Sequence, residues 1–260
     1  MSQRSSIGYT IGFAAVICVV CAVLVSTAAV TLRDRQQANA ELDRKKNVLL
    51  AAGLATADES LDRGEVERRF GSFEVVAIDL ASGEVVDDID IATYDQRRAQ
   101  ADPTQSRAVD RNDAQVTRVP NRVLAYRQVD EAGQVAALVL PIEGKGLWST
   151  MYGFLALGPD LSTVRGLTYY QHGETPGLGG EVDNPRWKAL WPDRKVFDEE
   201  GDVALQVVRG AAGPPETDPY RVDGLAGATI TARGVSYMIA FWLGPEGYGP
   251  YLQRLKKEAA

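Results

Sequence analysis

Three glycine-rich segments contain the residues that could hold a ligand. They cover residues 144–150, 172–181 and 223–231. Each is predicted to lie at a strand or helix end, where glycine lets backbone N–H groups approach a ligand closely. The third segment leads into a predicted helix, whose N-terminus offers unpaired N–H groups and a positive dipole end. This combination favours a phosphorylated ligand, although a single glycine-rich turn is usually only a turn.

Several other chemistries are excluded by the residue types present. Two cysteines and one histidine are too few for a Cys/His zinc site or an iron–sulfur cluster within this chain. The sequence has no G-x-x-x-x-G-K-[ST] segment, which argues against a P-loop nucleotidase, and no G-x-S-x-G elbow. His172 lies near an acid, but no nearby serine or cysteine completes a hydrolytic triad. Redox chemistry would therefore need an organic cofactor.

The same candidate residues also have purely structural interpretations. Thr175 and Thr229 suit helix N-caps or polar loop positions. Glu174 suits a solvated loop acid, and Trp187 and Trp191, four residues apart, suit a packing pair.

Charge limits the class of partner. The chain has 260 residues, with 28 Lys and Arg against 35 Asp and Glu, and a net charge of -7. A nucleic-acid binder needs a basic face to displace phosphate counterions, so nucleic acid is not expected as a partner.

The elements that must position these segments are mostly strands. Their apolar alternation and flanking turns predict strands over 73–79, 84–86, 122–128, 135–142, 152–157, 163–171 and 203–208. Glu131, Ala132 and Gly133 predict a hairpin turn, and residues 158–160 predict a second. A helix is predicted over 232–243, ended by Gly244 and Pro245. Residues 87–113 predict a polar surface excursion with some helix. Because strands and helices do not alternate regularly, we expect an α+β fold with a mixed or antiparallel sheet and flanking helices, not a Rossmann fold.

The N-terminus predicts a membrane anchor. Residues 5–32 carry no charge, and this run is long enough for a transmembrane helix. A cleavable signal peptide is the alternative, because residues 26–28 are small, but the uncharged run continues to Leu32. Cys18 and Cys21 lie within the span and are expected to be packing residues. We expect an anchor over 1–35, a helical linker over 36–68 and one α+β domain over 69–260. Arg4 before the span, with Arg33 and Arg35 after it, is a weak charge signal that taken alone favours a cytoplasmic domain.

Taken together, the three segments resemble one family. Residues 223–229, D-G-L-A-G-A-T, resemble the flavinylation motif of the FMN-binding domain family, in which the last threonine carries FMN through a phosphoester. Residues 146–153, 174–180 and 241–250 resemble signatures of its branch of C subunits from sodium-translocating NADH:quinone reductases. One position departs from the family, which usually has Ser or Thr where this chain has Ala226.

The resemblance implies roles for individual residues. Thr229 would be the covalent attachment point for FMN. The segments 147–150 and 174–179 would form two walls around the flavin ring, and the start of the helix would hold its phosphate. The cofactor contacts implied in this way are Leu147, Trp148, Ser149, Thr150, Glu174, Thr175, Gly177, Leu178, Gly179, Asp223, Gly227, Ala228 and Thr231. No catalytic residue and no metal ligand is implied.

The resemblance also implies a setting. The chain would be an electron-carrier subunit working with the A, B, D, E and F subunits in the bacterial inner membrane, with its soluble domain periplasmic, and would be matured by a flavin transferase. The complex would pass electrons toward quinone and export sodium. The alternatives are the G-type subunit of the related Rnf complex, and an extracytoplasmic scaffold domain that is never flavinylated.

Overall fold

The protein, seen here as a computed structural model, is described for residues 7–130 and 133–258. The chain forms two compact units, of which the first ends at Asp43 and the second begins at Arg44. Arg4, Ser5, Glu131 and Ala132 lie outside the described residues.

One long helix, α1 (Ile7–Ala51), begins the described chain. It is long and apolar enough to cross a bilayer, and its apolar side chains over residues 7–25 are exposed. This helix fits a membrane anchor. The helix predicted from residue 36 is the continuation of α1, which ends at Ala51, and a second short helix begins at Arg63 within the predicted linker. The thiols of Cys18 and Cys21 are free and exposed on it.

The second unit contains the strands. In chain order they are β1 (Phe73–Asp79), β2 (Val85–Val86), β3 (Ser106–Ala108), β4 (Arg118–Pro120), β5 (Arg122–Val129), β6 (Val135–Lys145), β7 (Thr150–Leu157), β8 (Val164–Gln171), β9 (Gln206–Val207) and β10 (Arg221–Val222). Six of them form an antiparallel sheet in the order β2-β1-β5-β6-β7-β8. The short pairs β3-β4 and β9-β10 lie outside it. The α+β prediction is therefore confirmed.

Helices surround this sheet. They are α2 (Arg63–Phe70), α3 (Gln96–Ala101), α4 (Pro185–Lys188), α5 (Thr229–Leu243) and α6 (Gly249–Glu258), with a 3₁₀ helix at Gly179–Asp183. The predicted C-terminal helix is confirmed as α5, and it ends at Leu243 as expected. It begins three residues earlier than predicted, at Thr229 itself. Helix α6 was not predicted.

The two predicted hairpins are confirmed. Strands β5 and β6 pair with Tyr126 opposite Val139, and β7 and β8 pair with Phe154 opposite Thr168. The β7–β8 turn is held by Asp160, whose carboxylate accepts hydrogen bonds from the N–H groups of Ser162 and Thr163.

The prediction of a strand over 203–208 is confirmed only for the two residues of β9 and is wrong for the rest. Val203 makes a single bridge with Phe197, and the N–H groups of Ala204 and Leu205 both donate to the Val196 carbonyl. The backbone therefore folds back on its own loop before it reaches a partner strand. That partner is β10, which pairs with β9 in parallel and directly precedes residues 223–229.

Helix α5 packs closely on the end of β6. A Cβ added at Gly144 would lie 2.8 Å from Met238 Cβ, and one at Gly234 would overlap the Lys145 carbonyl. The Trp242 Nε1–H group also donates to the Glu143 carbonyl at 2.6 Å. Glycine at both positions lets the helix and strand backbones approach, which fixes the start of α5 beside the β6–β7 turn.

Candidate functional site

The first glycine-rich segment is a hairpin loop. Lys145 and Thr150 are opposite each other in β6 and β7, and the Gly146 N–H group donates to the Ser149 carbonyl at 2.8 Å. Leu147 and Trp148 lie at the tip, where 44% and 67% of their surfaces are exposed. The loop therefore presents two large apolar side chains to solvent from a rigid base.

A buried carboxylate accepts hydrogen bonds from the backbone of that loop. Glu174 is 5% exposed. Its Oε1 accepts hydrogen bonds from the N–H groups of Trp148 (2.9 Å) and Ser149 (3.1 Å). Its Oε2 accepts from the Leu147 N–H group (3.2 Å) and the Thr231 hydroxyl (2.6 Å). One side chain thus ties the hairpin loop to the first turn of α5, and the interpretation of Glu174 as a solvated loop acid is wrong.

The surroundings of Glu174 favour its ionised form. Burial alone would raise its pKa, but the hydrogen bonds from Thr231 and the three N–H groups outweigh that effect. The pKa of Glu174 is therefore held below its ordinary value, and the group is a carboxylate at neutral pH.

The histidine supports the Glu174 segment. His172 Nδ1 accepts a hydrogen bond from the Glu174 N–H group at 3.2 Å, and its Nε2 lies 2.6 Å from Asp183 Oδ2. Asp183 also pairs with Lys188 at 2.9 Å. Since Nδ1 accepts, the ring proton lies on Nε2, facing the carboxylate. His172 is a structural residue here.

The second glycine-rich segment turns tightly over Glu174. The Thr175 carbonyl accepts hydrogen bonds from the N–H groups of Leu178 (3.1 Å) and Gly180 (2.9 Å). A Cβ added at Gly179 would lie 2.6 Å from Glu174 Oε2 and 2.7 Å from Thr231 Oγ1. Only glycine fits there. Leu178 is 45% exposed, and a Cβ at Gly227 would lie 2.9 Å from its side chain, so the second and third segments touch.

The third segment is fixed at its start by Asp223. One carboxylate oxygen accepts a hydrogen bond from the Ala212 N–H group at 2.8 Å, and the Asp223 carbonyl accepts from the Trp187 indole at 2.9 Å. Trp187 packs edge-on against Trp191, with ring centroids 5.3 Å apart, so the predicted packing pair is confirmed. Ala226, the position that departs from the family, is exposed.

The segment ends where α5 begins. Gly227 has a φ of +71°, and Ala228 is the N-cap, without a side-chain cap. Thr229 is therefore the first helical residue and is not an N-cap. Thr175 is not one either, because Leu178 precedes the 3₁₀ helix.

The two threonines of α5 differ in environment. Thr231 is buried and its hydroxyl is bonded to Glu174. Thr229 is exposed, and within residues 7–130 and 133–258 its hydroxyl has no hydrogen-bond partner. A free hydroxyl beside the N–H groups of a helix start can be esterified by a phosphate group or can donate a hydrogen bond to one.

Exposed apolar side chains lie on the segments that meet at the start of α5. We define the apolar rim as Leu147, Trp148, Leu178 and Ile230, of which Ile230 is 48% exposed. All four belong to segments joined through Glu174, Thr231 and Gly227. Exposed apolar side chains on segments that meet near an exposed hydroxyl favour binding of a flat, largely apolar ligand with one charged end.

Two open grooves flank Thr229 and Ile230. The first, about 830 Å³, is lined by residues 206–211, 223–227, Thr229, Ala232 and Arg233. The second, about 820 Å³, is lined by residues 109–113 and 115–117, Lys145, Gly146, Ile230, Arg233, Gly234 and Tyr237. Residues 206–211 and Arg233 were not predicted to belong to the site. Residues 206–211 reach it through the parallel β9-β10 pair, for which no local sequence pattern exists.

Some of the predicted contact residues are linked to Glu174 or to the start of α5, and others are not. Those joined by hydrogen bonds or close packing around Glu174 and the start of α5 are Leu147, Trp148, Ser149, Leu178, Gly179, Gly227, Ala228 and Thr231. The hydroxyls of Thr150 and Thr175 make no hydrogen bond within the described part of the chain. Gly177 is exposed, with a φ of +75°.

The described residues hold no group of three or more His, Cys, Asp or Glu side chains that could bind a metal ion.

The chain is similar in sequence to known proteins. The sequence model of one family, described as "FMN-binding domain", matches residues 146–244. The chain is 42% identical to the C subunit of the Na(+)-translocating NADH-quinone reductase of Vibrio vulnificus strain YJ016, over 98% of each chain. It is also 42% identical to the protein of the same name from Pseudomonas aeruginosa strain PAO1, over 100% of each chain.

A solved structure is similar as well. The crystal structure of Shewanella oneidensis NqrC matches with a TM-score of 0.76 and 33% sequence identity, covering 84% of this chain and 99% of that one.

Proposed function

The chain belongs to the family of Na(+)-translocating NADH-quinone reductase C subunits, and we propose that it carries FMN covalently on Thr229 as the electron-relay subunit of such a complex. The family match to an FMN-binding domain supports FMN as the cofactor. Since relatives that match over the full length are C subunits, this assignment is preferred to a G-type Rnf subunit.

The observation that carries the proposal is the state of Thr229. It is exposed, it is the first residue of α5, and its hydroxyl has no partner within the described ranges. By contrast Thr231, two residues later, is buried and bonded to Glu174. A phosphoester bond to Thr229 would break no interaction of the described fold, whereas one to Thr231 would break the link between Glu174 and α5.

The surrounding residues fit the rest of the cofactor. Leu147, Trp148 and Leu178 offer apolar contact to a flat ring, and the groove of about 830 Å³ has room for the chain that joins ring to phosphate. The free N–H groups at the start of α5 suit a phosphate oxygen. FMN, when bound, supplies the electron transfer, while these residues hold it and limit its contact with water.

Covalent attachment is tested by intact-mass spectrometry of the full chain co-expressed with a flavin transferase. The wild type is expected to gain the mass of one flavin mononucleotide less one water, and to fluoresce in a denaturing gel. Thr229→Ala is expected to gain nothing, while the control Thr217→Ala, at an exposed threonine, is expected to be modified like the wild type. An unmodified wild type would contradict the proposal and favour a scaffold domain.

The proposed setting is the bacterial inner membrane, with the second unit on the periplasmic side. The apolar helix α1 supports the membrane location, and the family resemblance, against the weak charge signal, supports the side. A reporter active only in the periplasm, fused to the C-terminus, is expected to be active. Activity of a cytoplasm-only reporter would contradict this orientation.

The proposed partners are the A, B, D, E and F subunits of the complex, with a flavin transferase acting before assembly. In that complex the chain would receive electrons from one neighbour and deliver them toward quinone, while sodium export is carried out by the complex as a whole. Purification of a tagged chain from its native membrane is expected to bring down all five of these proteins. Recovery of Rnf proteins instead would contradict this assignment.

A further inference from the structure

Two arginines line the same groove as Thr229. Arg209 follows β9 on one wall, and Arg233 lies on α5 on the other. Within residues 7–130 and 133–258 neither guanidinium makes a hydrogen bond or an ion pair. Many arginines of this chain are paired, as Arg122 is with Asp88 and Arg221 with Asp218. The two cations that face this groove therefore need a separate explanation.

Helix geometry brings one of them to the hydroxyl. Arg233 follows Thr229 by four residues in α5, so the two side chains lie on the same helix face, one turn apart. Side chains in a helix lean toward its N-terminus, which directs the Arg233 guanidinium back over Thr229. Arg209 approaches from the opposite wall, because β9 pairs with β10 just before residues 223–229.

No acid is paired with either arginine in the described part of the chain, and this includes Asp110 and Asp113, which line the second groove with Arg233. Asp223 is the acidic residue among those that line it, and one of its oxygens is bonded to the Ala212 N–H group. Asp218, close in sequence, is bonded to Arg221 and to the Gly213 N–H group. In a chain with a net charge of -7, the described lining of this groove has two cations and one acid. It is therefore suited to an anion.

We propose that Arg209 and Arg233 form the phosphate-binding site of the flavin, clamping its phosphate from both walls of the groove beside Thr229. This inference rests on the proposed function, since it takes FMN as the ligand. Guanidinium groups bind phosphate through paired, charge-assisted hydrogen bonds, so the two arginines select a phosphorylated flavin over riboflavin. They hold the phosphate next to the hydroxyl while the flavin transferase replaces a P–O bond of its flavin nucleotide donor by the Thr229 Oγ–P bond, the hydroxyl proton leaving with the displaced group. Afterwards they neutralise the charge that remains on the phosphate.

The test compares two free flavins on the unmodified full chain, expressed without a flavin transferase. FMN and riboflavin share the ring and differ in the phosphate, so the ratio of their affinities isolates the phosphate site. Binding is followed by flavin fluorescence at low salt. The double variant Arg209→Gln/Arg233→Gln is compared with Arg63→Gln, which removes an exposed arginine from the start of α2.

The wild type and the Arg63→Gln control are expected to bind FMN about tenfold more tightly than riboflavin, which corresponds to two partly exposed charge pairs. The double variant is expected to lose most of this preference and to keep only the small part that the N–H groups at the start of α5 supply. Salt at about 0.5 M, where charges are strongly screened, is expected to reduce the preference of the wild type to the level of the double variant. Equal binding of the two flavins by the wild type, or a preference in the double variant as large as that of the wild type, would overturn the inference. The mass test at Thr229 distinguishes the failure of this inference from the failure of the proposed function. A wild type that is flavinylated but has no preference for FMN refutes only the arginine clamp, whereas a wild type that is not flavinylated refutes the proposed function.

Discussion

Replacing Glu174 by glutamine removes one acceptor atom from a site where four donors meet. In the wild type, the two carboxylate oxygens accept hydrogen bonds from three N–H groups and from the Thr231 hydroxyl. In Glu174→Gln the amide oxygen can still face Trp148 and Ser149. The NH₂ group can donate to Thr231, which leaves the Leu147 N–H group without an acceptor. The variant also loses the charge that strengthens every one of these bonds.

The cost follows from these losses. An unsatisfied buried donor costs about 1–3 kcal/mol, and hydrogen bonds to a charged acceptor are about 1 kcal/mol stronger than neutral ones. We expect Glu174→Gln to lower the free energy of unfolding by about 2–4 kcal/mol. For a domain of this size that corresponds to a fall in melting temperature of roughly 5–15 °C. Urea and thermal unfolding measure both quantities, with Glu216→Gln, at an exposed glutamate, as the matched control.

The difference should depend on pH in one direction. Because folding lowers the pKa of Glu174 from its ordinary 4.5, the stabilisation by the carboxylate is fully present above pH 4.5. It is lost as the pH falls through the lowered pKa, since a protonated carboxyl group accepts hydrogen bonds much as an amide does. The gap between wild type and Glu174→Gln should therefore be constant from about pH 5 to 7 and shrink below the ordinary pKa. A variant as stable as Glu216→Gln at neutral pH, or a gap that widens in acid, would refute the reasoning.

Two further substitutions test the close packing at Gly179 and the exposed position of Trp148. Gly179→Ala is expected to destabilise the protein by about 1–3 kcal/mol, because its Cβ would lie 2.6 Å from Glu174 Oε2. The control is Gly64→Ala on α2, where the added Cβ would make only an ordinary contact at 3.4 Å, so the stability should be unchanged or higher. Equal urea midpoints for Gly179→Ala and Gly64→Ala would show that the close contact at Gly179 has no effect on stability. Trp148→Ala is expected to change stability by less than about 0.5 kcal/mol, since the side chain is 67% exposed. It should increase quenching of the bound flavin's fluorescence by iodide, and unchanged quenching would remove Trp148 from the flavin site.

The sheet could be predicted because its signal is local. Alternating apolar residues and short polar turns mark β1 and β5 to β8, and each of these strands pairs with a neighbour in sequence or at a hairpin's distance. The start of α5 was placed three residues late, because the glycines and Ala228 before it give no capping signal.

The site itself could be predicted in part. Its three segments are visible as glycine-rich motifs, but the way they join is not. Glu174 and Thr231 are 57 positions apart, and their hydrogen bond depends on α5 packing against β6. Arg209 enters the groove through a parallel pair of two residues, which is too short to leave a periodic pattern. Sequence motifs thus indicate which segments form the candidate site, whereas only the fold shows which of their side chains are exposed there and which face the core.

The Thr229 hydroxyl, and no other, is proposed to carry the flavin. Trypsin cleaves after Arg221 and Arg233, so one peptide, residues 222–233, contains both Thr229 and Thr231. Tandem mass spectrometry of this peptide from the native complex separates the two positions by their fragment ions. We expect the flavin phosphate on Thr229 alone. A flavin on Thr231, or a peptide without any modification, would contradict it.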